Sequence, residues 1–364
     1  MNNVAALPIV LAADANFSVP LAIAVETLLR AARETTRYDI YVLDDGVLEM
    51  AKRHIETLKE RFDFRITYFP VQQIVQGVAT KHYFPRVSFA RFFIPQLLPE
   101  GTQKVFYSDA DVMFCDDLSD LYGMDMQGHA MAGIQELSMI AVEHRSYLYH
   151  WRDVFHLDLD ARGWCYCNSG NLLFDCPLWK ERGYTQKIVD MACGPQGRDS
   201  HFPDQDIMNA VCWCDIVPME LRYCIIPRYE NRYCTDNPRE MYGGLCRYTP
   251  EYMRQQYGNP ALIHFAGQKP RVLEGPRYPL EERFIEFWKQ SAWRDYMPFN
   301  PRAGSMSPSR FIRQNVPISS QLGILRRELL KYTALSCLPL PKRRHYAEQR
   351  NGLRTVLRNA GVQA

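Results

Sequence analysis

A chain of 364 residues with 47% hydrophobic and 12% aromatic residues can build a large catalytic domain with an appendage, and that composition excludes a disordered chain. The net charge of +2 is unevenly divided: residues 302–364 carry 12 Lys and Arg against 2 Asp and Glu, net +10, while residues 1–301 carry 31 against 39, net −8. A basic segment this local, on an acidic body, argues against nucleic acid as a partner and for an anionic surface opposite the tail.

The apolar runs are far shorter than the roughly 20 residues a bilayer crossing needs. The first of them, residues 6–13, has no basic lead and is broken by Asp14, so it reads as a buried β-strand rather than a leader. A cytoplasmic protein is expected, with the inner face of the membrane as a peripheral station. The eleven cysteines are scattered, and Cys165-x-Cys167 and Cys212-x-Cys214 lack the two-residue spacer of zinc or redox sites. They are expected as free, buried thiols.

Along the chain, strand and helix signals alternate. Residues 20–33 have helical spacing, 38–43 are strand-like, and 47–62 form an amphipathic helix with Leu48, Ala51, Ile55, Leu58 and Phe62 on one side. A third strand is expected at 64–71. A helix over 88–98 should end or kink at Pro95, and a fourth strand follows at 104–108. Further strands are expected at 130–135, 169–175, 216–220 and 260–265, with helices at 177–192, 204–213 and 279–293. This alternation predicts an α/β domain over 1–301 with a mostly parallel sheet, whose ligand binds beyond the carboxyl ends of the strands. Residues 303–315 read as a linker to a helical tail, the second unit being 302–364.

Four segments carry the chemistry. In 104–118, an apolar strand delivers Asp109 and Asp111, one residue apart across Ala110, so that both carboxylates can reach one hard cation. In 261–270, His264 closes an apolar run, and an imidazole can complete a two-carboxylate site for a metal such as manganese. Gly267 then permits close backbone approach, and Lys269 can neutralise a phosphate. In 202–211, Asp204 and Gln205 start a helix, with Asp204 either its N-cap or turned, with Gln205, toward a sugar. In 166–176, Asn168, Ser169 and Gly170 precede a strand, and a turn is the plain reading of that composition.

Taken together and in this order, the motifs over residues 7–293 resemble the retaining glycosyltransferases of family 8, a group that includes bacterial lipooligosaccharide and lipopolysaccharide hexosyltransferases. The resemblance implies a GT-A fold: a Rossmann-like, mostly parallel mixed sheet with flanking helices. It also implies a UDP-galactose or UDP-glucose donor, a glycan or lipid-linked glycan acceptor, and Mn2+ or Mg2+. By it, Ala12, Ala13, Asp14 and Asn16 form the uridine pocket, with Phe17 stacked on uracil where the family typically has Tyr. Arg91 contacts donor phosphate or sugar, and Asp109, Asp111 and His264 hold the metal. Asn168 and Ser169 touch the sugar, Asp204 and Gln205 stand beside the transferred sugar, and Gly267 and Lys269 hold the diphosphate. Lys269 follows His264 by five residues where the common spacing is six, and Gln135 and Glu136 stand where many relatives have Asp. The family's front-face displacement, in which the leaving phosphate helps deprotonate the acceptor, is the implied mechanism.

Two rival readings stay open on sequence. Asp109-Ala-Asp111-Val112 also fits the opening of haloacid-dehalogenase-type phosphatases, and a catalytically silent nucleotide-sugar-binding scaffold would carry the same motifs. In the tail, Phe311, Ile312, Ile318, Leu322, Ile324, Leu325, Leu329 and Leu330 alternate with Arg310, Arg313, Arg326, Arg327 and Lys331, and Lys342, Arg343 and Arg344 follow. That mixture suits either an interfacial helix on anionic lipid or a helix packed on the body.

Overall fold

A computed structural model describes residues 6–75, 86–160, 165–299, 307–338 and 341–361. The first apolar run becomes strand β1 (Leu7–Asp14), an interior strand of the sheet, where Ile9, Val10 and Leu11 are 0–1% exposed. Burying such a side chain contributes about 1.5–3 kcal/mol, which is why a strand covered on both faces is apolar without alternation. β2 (Tyr38–Asp45) and β3 (Phe64–Pro70) extend the sheet in parallel on one side of β1, and β4 (Lys104–Asp109) pairs with β1 in parallel on the other. After β5 (Val112–Phe114) come β6 (Met131–Gln135), β7 (Cys167–Asp175), β8 (Ile216–Pro218) and β9 (Leu262–His264).

The main sheet has the order β3-β2-β1-β4-β7-β6-β8, and β5 pairs with β9 in a small second sheet. β7 runs antiparallel to both β4 and β6, while β6 and β8 are parallel. The chain leaves β1 for β2 and β3 on one side and returns to β4 on the other. The gap beyond the carboxyl ends of β1 and β4 is therefore a topological switch point, where sheets of this type bind ligands.

Several boundaries differ from the sequence expectation. The helix expected at 47–62 spans Glu49–Thr57 and tightens into a 3-10 turn, Leu58–Glu60. Pro95 does not end a helix. It opens the helical turn Ile94–Leu97, where its missing N–H costs nothing, after a helix Arg86–Ala90 and a 3-10 turn Arg91–Phe93. The helix expected at 177–192 is two, Cys176–Glu181 and Tyr184–Cys193. All eleven cysteines are free thiols, with Cys165 and Cys167 buried side by side, Sγ to Sγ 3.4 Å.

The basic tail forms two helices, Leu322–Cys337 and Arg343–Asn359, that pack on each other and bury Leu325, Leu353, Val356 and Leu357. Asn359 Nδ2 donates to the Leu273 carbonyl (2.6 Å) and the Ser319 amide to Asp295 (3.0 Å), which fastens the pair to the body. The expected linker lies partly outside the described residues, at 303–306. From Ser307 on it is packed: Ile312 is 3% exposed, and Asn315 Nδ2 donates to the Ala15 carbonyl at 3.2 Å. No helix among the described residues is long and apolar enough to cross a membrane.

Candidate active site

The strand register assembles the site. Ala12 on β1 lies opposite Asp109 on β4, so Ala12, Ala13 and Asp14 border the same end of the sheet as the acidic pair. β5 pairs with β9 so that Val112 faces His264, and the Phe265 amide donates to the Asp111 carbonyl at 2.9 Å. Residues more than 150 positions apart are thereby brought together, and one ligand atom from each of Asp109, Asp111 and His264 lies within 4.8 Å of the others. His264 Nε2 is 3.7 Å from Asp109 and 3.5 Å from Asp111.

The antiparallel course of β7 carries its first residues past the end of β4. Asn168, Ser169 and Gly170 are therefore buried strand residues, not a turn before one. Alternation places Cys167 and Ser169 toward the helix Pro203–Val211, where Gln205 and Asn209 share one face. Asn209 clamps Cys167, accepting from its amide (2.7 Å) and donating to its carbonyl (2.9 Å), and Gln205 Oε1 accepts from the Ser169 amide at 3.0 Å. Phe202, not Asp204, occupies the N-cap position, with no side-chain cap bond. The Asp204 carboxylate instead faces Ser169 Oγ and Arg91, each at 3.4 Å.

Arg91 is 4% exposed and joins these parts. It donates to the carbonyls of Ser88 (2.7 Å) and Ser169 (2.5 Å), faces Asp109 at 3.4 Å and lies over the Tyr107 ring. Lys269 donates to Asp111 and to the Phe265 carbonyl and sits above the Phe17 ring, so the shortened spacing still brings it into the cleft. Burial and the neighbouring Asp111 push the Asp109 carboxyl up against the opposing Arg91 charge. Asp111, despite burial, is held well below the usual carboxylate range by Lys269 and His264. Burial disfavours the His264 imidazolium, but Asp111 outweighs it and pushes the group up to about 10. A cation held by this triad would take the place of a proton.

An open cleft of about 630 Å3 is lined by all but one of the residues assigned from sequence to the donor, the metal or the transferred sugar: Ala12, Ala13, Asp14, Phe17, Arg91, Asp109, Ala110, Asp111, Asn168, Ser169, Asp204, Gln205, His264, Gly267 and Lys269. Asn16 is the exception. It is exposed, and its amide donates to Asp14 Oδ1 (2.8 Å), which also accepts from the Phe17 amide. The Asp14 carboxylate is thus engaged in capping its own turn.

Sequence reasoning missed other members of the cleft. Glu136 Oε2 accepts from Asn168 Nδ2 (2.8 Å), and Oε1 accepts from Ser138 Oγ (2.7 Å), so it orients the Asn168 amide. Gly170 leaves room for the triad: a Cβ there would lie 2.5 Å from His264 Cε1 and 2.7 Å from Asp109 Oδ2. Arg228 and Tyr229 reach the cleft from the segment after β8. In the sequence Glu136 is marked only as a departure from the family pattern and Gly170 only as part of a turn, while Arg228 and Tyr229 give no local signal, because they act across the fold. Two carboxylates, one imidazole and a glycine that clears the space beside them suit a divalent cation of mixed oxygen and nitrogen preference.

Comparison with known proteins agrees with this geometry. The profile of the family described as "Glycosyl transferase family 8" matches residues 8–270. The chain is similar to general stress protein A of Bacillus subtilis, 22% identical over 78% of this chain and 94% of that one. It is also similar to the lipopolysaccharide 1,2-glucosyltransferase of Escherichia coli, 24% identical over 78% of each. Among solved structures, the galactosyltransferase LgtC in complex with donor and acceptor sugar analogues aligns with a TM-score of 0.59 at 20% identity, over 79% of this chain and 96% of that one. The bifunctional glycosyltransferase WbbM aligns at 0.63 and 21%, over 80% and 51%. The fold is the expected GT-A fold.

Proposed function

Since the chain belongs to glycosyl transferase family 8, and so is a glycosyltransferase, we propose that it moves galactose or glucose from a UDP-sugar to an acceptor glycan with retention at the anomeric carbon, using Mn2+ or Mg2+. Family membership sets aside the phosphatase reading, and turnover of a nucleotide sugar is what separates a transferase from a catalytically silent scaffold. The observation that carries the proposal is the convergence of Asp109, Asp111 and His264 within 4.8 Å at the switch point of the sheet, beside Gln205 and Lys269.

Asp109, Asp111 and His264 would hold the cation, which supplies positive charge opposite the departing diphosphate. Lys269 adds a second charge there, and Phe17 with Ala12 and Ala13 forms an apolar seat for the uracil. Asn168, fixed by Glu136, and Asp204, fixed by Arg91, orient the sugar hydroxyls. The bond from the anomeric carbon to phosphate oxygen breaks, the bond to the acceptor oxygen forms, and the acceptor proton passes to the leaving phosphate. Gln205 offers an amide beside the anomeric centre, a dipole suited to steadying its developing positive charge but a poor nucleophile.

The acceptor we propose is a cell-surface glycan such as lipopolysaccharide, in line with the named activity of the Escherichia coli relative. The tail supports a peripheral station on the anionic inner membrane face: Leu330 (72% exposed) and Leu338 (47%) stand out among exposed Arg326, Arg327, Lys331, Lys342, Arg343 and Arg344. Full-length protein should co-sediment with phosphatidylglycerol vesicles and come off in salt; equal binding to phosphatidylcholine vesicles, or none to either, would discard the membrane part.

The activity itself is tested by UDP release from a panel of nucleotide sugars, with and without Mn2+. Release from UDP-galactose or UDP-glucose should require the metal and fall by about 100-fold or more in Asp109→Ala. Metal-independent release, or full activity in Asp109→Ala, would sink the assignment of the acidic triad.

A further inference from the structure

Besides His264, three arginine and lysine side chains line the cleft, and two of them are already engaged. The Arg91 donors go to two carbonyls and two carboxylates, and Lys269 is held by Asp111 and the Phe265 carbonyl. Arg228 differs. Among the described residues it forms no ion pair with a carboxylate, its Nε–H is buried without a hydrogen-bond partner, and its one bond is from Nη2 to the Tyr229 hydroxyl. A guanidinium has five donors in a fixed fork. A half-buried one in a cleft with most of that fork unused is poised for an incoming anion.

Its position says which part of the ligand that anion is. The guanidinium lies against Gly267, in the turn between His264 and Lys269, where a Cβ would sit 2.5 Å from Arg228 Nη1. Gly267 has φ +74°, so glycine is favoured there on two counts, backbone conformation and the closeness of the arginine. On its other side, Arg228 reaches through Tyr229, whose hydroxyl faces Ser138, to Glu136 and so to Asn168. Arg228 thus stands between the phosphate-holding turn and the sugar end of the cleft.

We propose that Arg228 binds the sugar-side phosphate of the donor's diphosphate and stabilises it as it leaves, across the Gly267 turn from Lys269. The inference rests on the nucleoside-diphosphate-sugar reading above. A planar fork can take two phosphate oxygens at once, which Lys269, a point charge, cannot.

The test measures UDP and UMP binding by calorimetry in Mn2+ for the full chain and for Arg228→Met and Arg228→Lys. UMP keeps the uridine and first phosphate but lacks the second. Loss of a charge-assisted bond predicts that Arg228→Met weakens UDP by about 10- to 100-fold and UMP by no more than about twofold, with Arg228→Lys between wild type and Met for UDP. Equal weakening of UDP and UMP would mean a general defect of the cleft and overturn the inference. Unchanged UDP affinity in Arg228→Met overturns it too and moves the guanidinium to the acceptor side. A wild-type chain that binds neither nucleotide would instead bring down the UDP-sugar reading, and this inference with it.

Discussion

Gly170→Ala should weaken cation binding and turnover while the protein stays folded. Gly170 lies inside β7, where an extended backbone accepts alanine without strain, so the effect comes from the added carbon. That carbon would lie 2.5 Å from His264 Cε1, 2.7 Å from Asp109 Oδ2 and 3.0 Å from Asn168 Oδ1. Contacts this short are not tolerated, so the imidazole or the carboxylate must move away. His264 is packed on its far side, with Nδ1 3.1 Å from Asn171 Nδ2 and 3.6 Å from Cys224 Sγ. A dense interior yields at a cost of about 1–3 kcal/mol, which lowers the melting temperature by several degrees without unfolding the chain. The displaced ligands should weaken Mn2+ by about 10- to 100-fold, and turnover at limiting metal should fall at least as far. Mn2+ titration followed by electron paramagnetic resonance, beside a thermal melt, checks both. An alanine variant with wild-type Mn2+ affinity would mean that the triad is not where the cation sits.

Arg91→Met should cost the most stability of any single change in the cleft. The guanidinium is 4% exposed and neutralises Asp109 and Asp204 while satisfying the Ser169 and Ser88 carbonyls. Methionine replaces the aliphatic stem that leads to Tyr107 but not the guanidinium, so the loss is mainly electrostatic. Two carboxylates are left without their cation, and the buried Ser169 carbonyl without its donor, a situation that typically costs about 3–5 kcal/mol. Asp109, already pushed up by burial and by Asp111, would rise further and hold a metal less well. Chemical denaturation should show the loss, and UDP release should be undetectable. Arg91→Lys should recover part of the stability but little activity, since an ammonium cannot span Asp109, Asp204 and the Ser169 carbonyl together. Wild-type stability in Arg91→Met would refute the view that this arginine neutralises the cleft.

How much of this was legible depends on how far each signal reaches along the chain. β1 was readable because a strand buried on both faces is a continuous apolar run, and Asp109-Ala110-Asp111 because a strand ending in two alternate carboxylates is a local pattern. His264 and Lys269 were readable one segment at a time, and the order of the motifs pointed to the family. The element types followed for the same reason: hydrophobic period is written in neighbouring residues.

The tertiary structure decided what each residue does for another. Asn-Ser-Gly at 168–170 has the composition of a turn, yet antiparallel pairing with β4 and β6 makes it a buried strand, because long-range pairing overrides local propensity. Asp204 looks like a helix cap, but Arg91 on another element attracts its carboxylate more strongly than the backbone amides of its own helix do. The basic tail reads as an amphipathic surface helix, but its apolar side is satisfied by a second helix and by the body, leaving Leu330 and Leu338 outside. Gly170 was marked only as part of a turn, and Arg228 carried no local mark at all. Their meaning is a distance, from Gly170 to His264 and from Arg228 to Gly267, set by the register of strands that lie far apart in the chain. Sequence alone thus determined most of the strands, though not the short β5, and the family, since these depend on each residue's own chemistry and its near neighbours. Which charges are neutralised and which arginine is left to meet the substrate was decided only when packing had closed the sheet around the switch point.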